Sequence, residues 1–282
     1  MGSLPQRSVR RIGLCLAAIL AGGAARSEID LSGNWFVAYH EDWIEVGTGP
    51  DIADFTGLPI NDAARERALS WNPSLINQPE RQCAQLPLDY TVFWTNFRIW
   101  KEIDPFTQRI LAYRSHRQWG EEKQTVYMDG RPHPPVYAPH AYQGFSTGEW
   151  DGDKLKITTT HLKEGYSRRN GVPRSDRATI IVYYIRHDDH LTVARIVQDP
   201  DYLTEPLIHT TNYTQELQKE IPPWKCEIVT ELVGQPEGFV PHYYPWKNPY
   251  ADEFSEKYGI PREAALGGAE TMYPDYIEND RE

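Results

Sequence analysis

Between residues 90 and 233 apolar and polar side chains alternate in short runs, each closed by turn-forming residues. A two-residue period is the mark of a strand with one buried face. The pattern predicts strands at Tyr90–Trp94, Phe97–Ile103, Arg109–Ser115, Gln124–Met128, Gln143–Trp150, Lys154–His161, Arg177–His187, Leu191–Val197, Leu207–Leu217 and Cys226–Val233. Asp104-Pro105, Asp129-Gly130, Asp151-Gly152-Asp153 and Asp188-Asp189 fall between the runs, as turn chemistry requires. An earlier strand opens on Leu31-Ser32-Gly33-Asn34-Trp35 and runs to Tyr39. Many short strands joined by tight turns imply an antiparallel barrel or sandwich.

Helical signals are few. Asn61 or Asp62 can cap a helix reaching about Leu69, and Asp252–Tyr258 reads as a second helix stopped by Gly259. Residues Gly47 to Gly57 read as loop, and Trp71 to Pro87, with three prolines, as an irregular wrapping segment. The tail after Pro245 is expected to pack across the barrel as a lid or clamp. No internal repeat or low-complexity linker divides the chain, so residues 26–282 read as one domain.

The N-terminus follows a different pattern. Arg7, Arg10 and Arg11 precede an apolar run, Ile12 to Leu20, and small residues follow to Ala25. This is the layout of a cleaved secretion signal over residues 1–25, with the mature protein in the periplasm. The run is too short to anchor in a bilayer about 30 Å thick, and no second long apolar stretch exists, so no integral membrane segment is expected. Cys15 leaves with the signal. Cys83 and Cys226 remain, either as a disulfide or as two thiols.

A net charge of −11 argues against nucleic acid or an anionic membrane as partner. Aromatic residues make up 12% of the chain, enough to line a pocket for a flat ligand as well as a core. The segment Lys154 to Glu164 is the most informative for chemistry. Period two puts Leu155, Ile157, Thr159 and His161 on one face, with His161 at the mouth end. A histidine there can act as a general base or be an ordinary half-buried residue bonded to a neighbour. Arg168, Arg169 and Asn170 follow and can hold an anionic group, or form a plain turn at Asn170-Gly171.

A second cluster runs Tyr127-Met-Asp129-Gly-Arg131-Pro-His133-Pro-Pro135, stiffened by proline. Tyr127, His133 and Asp129 join His161 as candidate catalytic residues. Arg131, His116, Trp119, His140 and Tyr142 complete the candidate substrate-binding set with Arg168, Arg169 and Asn170. The histidines could instead gather around zinc or copper, but no His-x-His or His-x3-His pair occurs in these segments, so no metal is expected. No phosphate-binding glycine loop is present, and no cofactor is expected. Gly144-Phe-Ser146-Thr-Gly148 has the letters of a hydrolase elbow, but it lies among strand signals. Glu41, Asp42 and Glu45 could pair as glycosidase acids, although spacing alone does not show it.

Several of these motifs occur together in a known order. Asp30-Leu-Ser-Gly-Asn-Trp35, Leu58-Pro-Ile-Asn-Asp-Ala-Ala-Arg65 and Pro79-Glu-Arg-Gln-Cys83 come first. Met128-Asp-Gly-Arg-Pro-His-Pro-Pro135, Gly144 to Asp153, Thr158-Thr-Thr-His-Leu-Lys163, Arg168 to Arg177 and Gly267 to Tyr273 follow. Together they resemble a large family of secreted bacterial proteins, abundant in sphingomonads and acidobacteria, over nearly the whole mature chain. Gly33-x-Trp35 also resembles the start of lipocalin-like barrels. The expected fold is therefore mainly β: an antiparallel lipocalin-like β-barrel of roughly eight to ten strands, with short peripheral helices and a C-terminal wrapping tail.

The resemblance, through the metabolism of such bacteria, implies phenolic, lignin-type substrates. The leading expectation is a cofactor-independent lyase or isomerase acting on an aromatic or other apolar small molecule inside the barrel. His161 would take a proton, Arg168 or Arg169 would hold an anion, and Tyr127 or His133 would be the acid. The alternatives are a non-catalytic lipocalin-like carrier of a hydrophobic molecule, and a structural envelope protein whose interior is filled by side chains.

Overall fold

A computed structural model describes residues 29–39, 50–91, 95–118, 123–229, 234, 236 and 239–279. The proposed secretion signal, Trp119 and the trio Glu41, Asp42 and Glu45 lie outside the described residues. The chain divides into Met1–Asp30 and Leu31–Glu282, and every element described below belongs to the second unit.

Nine strands close into a barrel. In chain order they are β1 (Gly33–Val37), β2 (Phe97–Ile103), β3 (Ile110–Arg117), β4 (Lys123–Tyr127), β5 (Phe145–Asp151) and β6 (Lys154–Thr160). A two-stranded ribbon, β7 (Gly165–Tyr166) and β8 (Pro173–Arg174), stands apart, and β9 (Thr179–His187), β10 (His190–Gln198) and β11 (Leu207–Gln215) complete the wall. Neighbours run β1-β11-β10-β9-β6-β5-β4-β3-β2, and β2 returns to β1. The alternation seen in the sequence sets the faces. Leu155, Ile157 and Thr159 of β6, Ile180, Val182 and Tyr184 of β9, and Leu191, Val193 and Val197 of β10 are all buried. With Trp35, Phe97, Ile99, Tyr113, Val126 and Tyr213 they form the main core.

Turn chemistry explains one end of the barrel. His187 pairs with His190 across the two-residue loop Asp188-Asp189, and Asp188 takes the left-handed φ of 53° that such a hairpin needs. Asp104 accepts from the backbone N–H groups of Phe106 and Thr107, shaping the β2–β3 turn.

Two features depart from expectation. The barrel is mixed, because β4 and β5 pair in parallel, Val126 with Ser146 and Tyr127 with Thr147. A parallel pair cannot be joined by a tight turn, so residues 128–144 must run back along the barrel, and they do so as a strap. The expected strand Tyr90–Trp94 begins instead as a short helix, α3 (Leu88–Thr91), whose Leu88 enters the main core; residues 92–94 are outside the described residues. Strong β propensity yields here to the site's tertiary demand for a plug. Residues 226–229 of the last expected strand form no strand.

The helices lie apart from the wall. They are α1 (Asp62–Leu69), α2 (Pro79–Gln82), α4 (Glu253–Tyr258), α5 (Arg262–Leu266) and α6 (Pro274–Asn279). Asn61 caps α1 by accepting from Ala64 N–H at 3.0 Å, and Gly259 ends α4 in the left-handed conformation. Ala64, Ala68 and Leu69 of α1 pack with Phe55, Ile60, Val172, Ala251 and Leu266 in a second core. The tail thus clamps the α1 region, with Asn248 donating to Leu69 O and Trp71 O. A Cys83–Cys226 disulfide ties the segment after α2 to the stretch of chain that precedes the tail.

Candidate functional site

Among the described residues the core side chains pack closely inside the barrel. The gap between Leu31, Ile99, Tyr113, Val126, Leu155, Ile157 and Tyr184, which Arg114, Ser115 and Gln124 also line, is about 10 Å³, room for one water molecule. Three inward polar side chains are bonded to one another: Ser146 accepts from Gln124 at 3.0 Å and shares a hydrogen bond with Thr159 at 2.8 Å. Ser146 is therefore a buried strand residue, without the strand-to-helix turn of a hydrolase nucleophile.

Most of the sequence-selected residues meet on the outer wall instead. His161 does not continue the inward face of β6. Its φ of 56° reverses the backbone after Thr160, and the imidazole swings outward onto the strap. There Nε2 meets Pro135 O at 3.0 Å and Nδ1 meets Thr160 Oγ1 at 2.8 Å. Thr160 Oγ1 also bonds His133 Nδ1 at 2.7 Å, and His133 Nε2 reaches Thr147 Oγ1 at 2.8 Å. The His133 ring packs edge-on against Phe145, which stacks on Tyr127. Arg131 lies 3.8 Å above the Tyr127 ring and is paired with Asp129. That pair holds the Asp129 carboxyl down at about 2.

A carbonyl only accepts, so His161 carries a proton on Nε2 that is donated to Pro135 O. One arrangement that satisfies the rest has Thr160 donating to His161 Nδ1 and accepting from His133 Nδ1–H, with His133 Nε2 accepting from the Thr147 hydroxyl. Burial, with the neighbouring His161 second, lowers the His133 pKa. His140 sits 5.3 Å from the His161 ring, and its Nδ1 donates to Leu162 O at 2.8 Å. That bond leaves Nε2 as the basic nitrogen of His140. Tyr142 is half-buried, with the Lys163 ammonium 4.8 Å from its ring.

The other candidates are elsewhere. His116 is on the outer face of β3, between Arg98 and Lys123. Asn170 is buried and donates to Asp51 O and Asp54 O, fastening the loop that precedes α1. Gly171 closes the turn under Trp71, where any Cβ would lie 2.4 Å from that side chain. Arg168 is half-buried beside Asp54, at 3.6 Å. That separation is too long for a direct hydrogen bond, so burial prevails: it lifts Asp54 to about 6 and lowers Arg168 to about 10. Arg169 is exposed, and its charge acts on the Tyr90 and Tyr166 phenols. Arg168 and Asn170 are bonded to the loop before α1, whereas His161 is bonded to the strap at Pro135.

The long-loop end of the barrel holds charged groups that the sequence reading passed over. Asp89, at the start of α3, is fully buried; it accepts from Arg174 Nε at 3.0 Å and from the Ser167 hydroxyl. Arg174 also donates to Lys163 O and Ser175 O. Arg195 pairs across the sheet with His209, and Arg117 lies 5.0 Å from the Phe97 ring. Burial, then Arg195 and Arg168, brings His209 down to about 4. Arg195 shares the face of Leu191, Val193 and Val197, and Arg117 that of Tyr113 and Ser115, so strand phase alone marks both as inward. Asp89 carried no such signal, because its helix falls where a strand was expected.

No group of three or more His, Cys, Asp or Glu fit to hold a metal occurs among the described residues. No family model, curated protein or solved structure matches the chain.

Proposed function

We propose that the protein is a non-catalytic, envelope-associated barrel, exported to the periplasm, whose packed interior is scaffold and whose binding contacts lie on its exterior. The observation that carries this reading is the close packing of the interior among the described residues. A small-molecule site normally needs some 300–1,000 Å³, against the gap of about 10 Å³ here. The fully buried ion pair at one end and the tight hairpins at the other are what a permanent scaffold requires. The Cys83–Cys226 disulfide suits an oxidising compartment.

The test is to incubate the purified protein with phenolic dimers and other apolar metabolites, following ligand mass and tryptophan emission. This reading expects every compound recovered unchanged and no saturable quenching. A transformed compound, or stoichiometric uptake, would sink it.

A second reading rests on the outer-wall histidines. Two imidazoles joined through one hydroxyl, with a third histidine ring 5.3 Å from one of them, can serve acid/base chemistry on an aromatic molecule docked against the strap. Turnover of a phenolic compound that is lost in His140→Gln and kept in Arg168→Lys would favour it.

A further inference from the structure

The tail after Pro236 is unusually rich in exposed aromatic residues. Its centre is the turn Tyr244-Pro245-Trp246-Lys247, closed by Lys247 N–H donating to Tyr244 O at 3.0 Å. Proline in second place and a positive φ in third define a type II turn, whose third residue is ordinarily glycine. Here that residue is Trp246, at φ 64°. A bulky side chain in the left-handed region costs roughly 1–2 kcal/mol, and nothing about the turn needs an indole.

The indole is also not retained for the core. Trp246 is 51% exposed and Tyr244 78% exposed. Tyr250 and Tyr258, on the same segment, are exposed as well. Proline at 241, 245 and 249 stiffens the segment, and buried Asn248, two residues from the indole, ties it to Leu69 O and Trp71 O. The rings are therefore held out on a backbone with little freedom left to lose on binding.

Beside the indole sits a planar polar pair. Arg262 lies 5.6 Å from the Trp246 ring and donates through Nε to Asp252 at 2.5 Å. A wholly apolar ligand on this surface would strip water from that pair without replacing its hydrogen bonds. A polyanion would meet Asp252 and a chain of net charge −11. What satisfies both halves is a neutral ligand with one flat C–H face and a rim of hydroxyls, which is a pyranose ring. The hydroxyls can donate to Asp252 and accept from Arg262, while the C–H face lies on the indole.

We propose that the Trp246 turn, with Tyr244 and the Arg262–Asp252 pair, is a binding site for neutral glycan chains. The proposal rests on the reading of the protein as an exterior-binding envelope scaffold and gives that scaffold its ligand class.

The test titrates the full mature chain with cellohexaose and, separately, chitohexaose, following tryptophan emission and heat. The two arms distinguish a plain glucan from an N-acetylated glycan. Saturable binding to either is expected, unchanged between 50 mM and 500 mM salt because the ligand is uncharged. Trp246→Gly is the decisive variant, since glycine is the residue this turn prefers and the fold is kept. It should weaken binding about tenfold or more, as loss of an aromatic anchor does, with circular dichroism unchanged. Absence of saccharide binding, equal affinity in Trp246→Gly, or binding that salt abolishes would each overturn the site. None of these would touch the scaffold reading, which falls only to an apolar ligand inside the barrel or to turnover.

Discussion

Arg174→Met is the perturbation that tests most sharply how the barrel is sealed. The side chains of Arg174 and Asp89 are 1% and 0% exposed, and the guanidinium serves Asp89, Lys163 O and Ser175 O at once. Removing it leaves a carboxylate in the interior that keeps the Ser167 hydroxyl and the more distant charge of Arg195, and two carbonyls that lose this donor. Breaking one side of such a buried pair costs about 3–5 kcal/mol, because the desolvated charge stays behind. Against a total stability of about 5–15 kcal/mol that is a large fraction. At about 2–4 °C per kcal/mol for a domain of this size, the melting point should fall by roughly 10 °C.

The assay is urea and thermal unfolding of wild type, Arg174→Met, Asp89→Leu and the double variant. Removing both charges should restore a good part of the loss, since an apolar pair of similar volume carries no desolvated ion. A cost below about 1 kcal/mol for Arg174→Met would mean that water reaches Asp89. The end of the barrel would then be open, and the argument for a sealed scaffold would fail.

Other outcomes follow from the same structure. The disulfide closes a loop across a sequence separation of 143 residues, so reduction should cost about 5 kcal/mol by chain entropy; a melt with and without reductant that shows no shift would contradict this. His209 and His133 both have pKa values held below the ordinary 6.5, His209 at about 4. The unfolded chain therefore takes up these protons first, and the stability they provide is full above about pH 6.5 and lost as the pH falls towards 4. Asp54, raised from 3.8 to about 6, acts in the opposite sense: its contribution is full below its unfolded value and gone above 6. His209→Gln should accordingly flatten the acid loss of melting temperature, and an unchanged profile would refute the assignment. Thr160→Val removes the hydroxyl between His133 and His161 and should cost about 1–3 kcal/mol, with faster amide exchange in the backbone of the strap at 133–141; unchanged exchange would show that the chain does not hold the strap.

How much of this was legible in the sequence depended on whether local periodicity decided the outcome. Phe97–Ile103 forms the strand its alternation predicts, because Phe97 and Ile99 face a core that only that phase can bury. The Asn61 cap and the Gly259 stop are equally local. The β4–β5 pairing is not: whether two strands run parallel is set by where the connection travels, and nothing within Lys123–Tyr127 records it. The same ignorance misplaced the candidate site. Period two put His161 inside, but one left-handed residue sends it outward, onto a strap whose path was unknown. The residues that gathered there, His133, His140 and Tyr127, were chosen for their chemistry, and their proximity is a consequence of that crossover. Arg195 and Arg117 were legible from phase, yet charge on an apolar face reads as an exception until the barrel closes around it.

The central claim is that the barrel has no room for a ligand, and xenon tests it most directly. Crystals of the mature protein pressurised with xenon should show no site among Leu31, Ile99, Tyr113, Val126, Leu155, Ile157 and Tyr184, because the gap of about 10 Å³ they enclose is too small for the atom. A well-occupied xenon position there would reveal a dry cavity at the heart of the barrel, and would return the protein to the class that carries or transforms apolar molecules inside it.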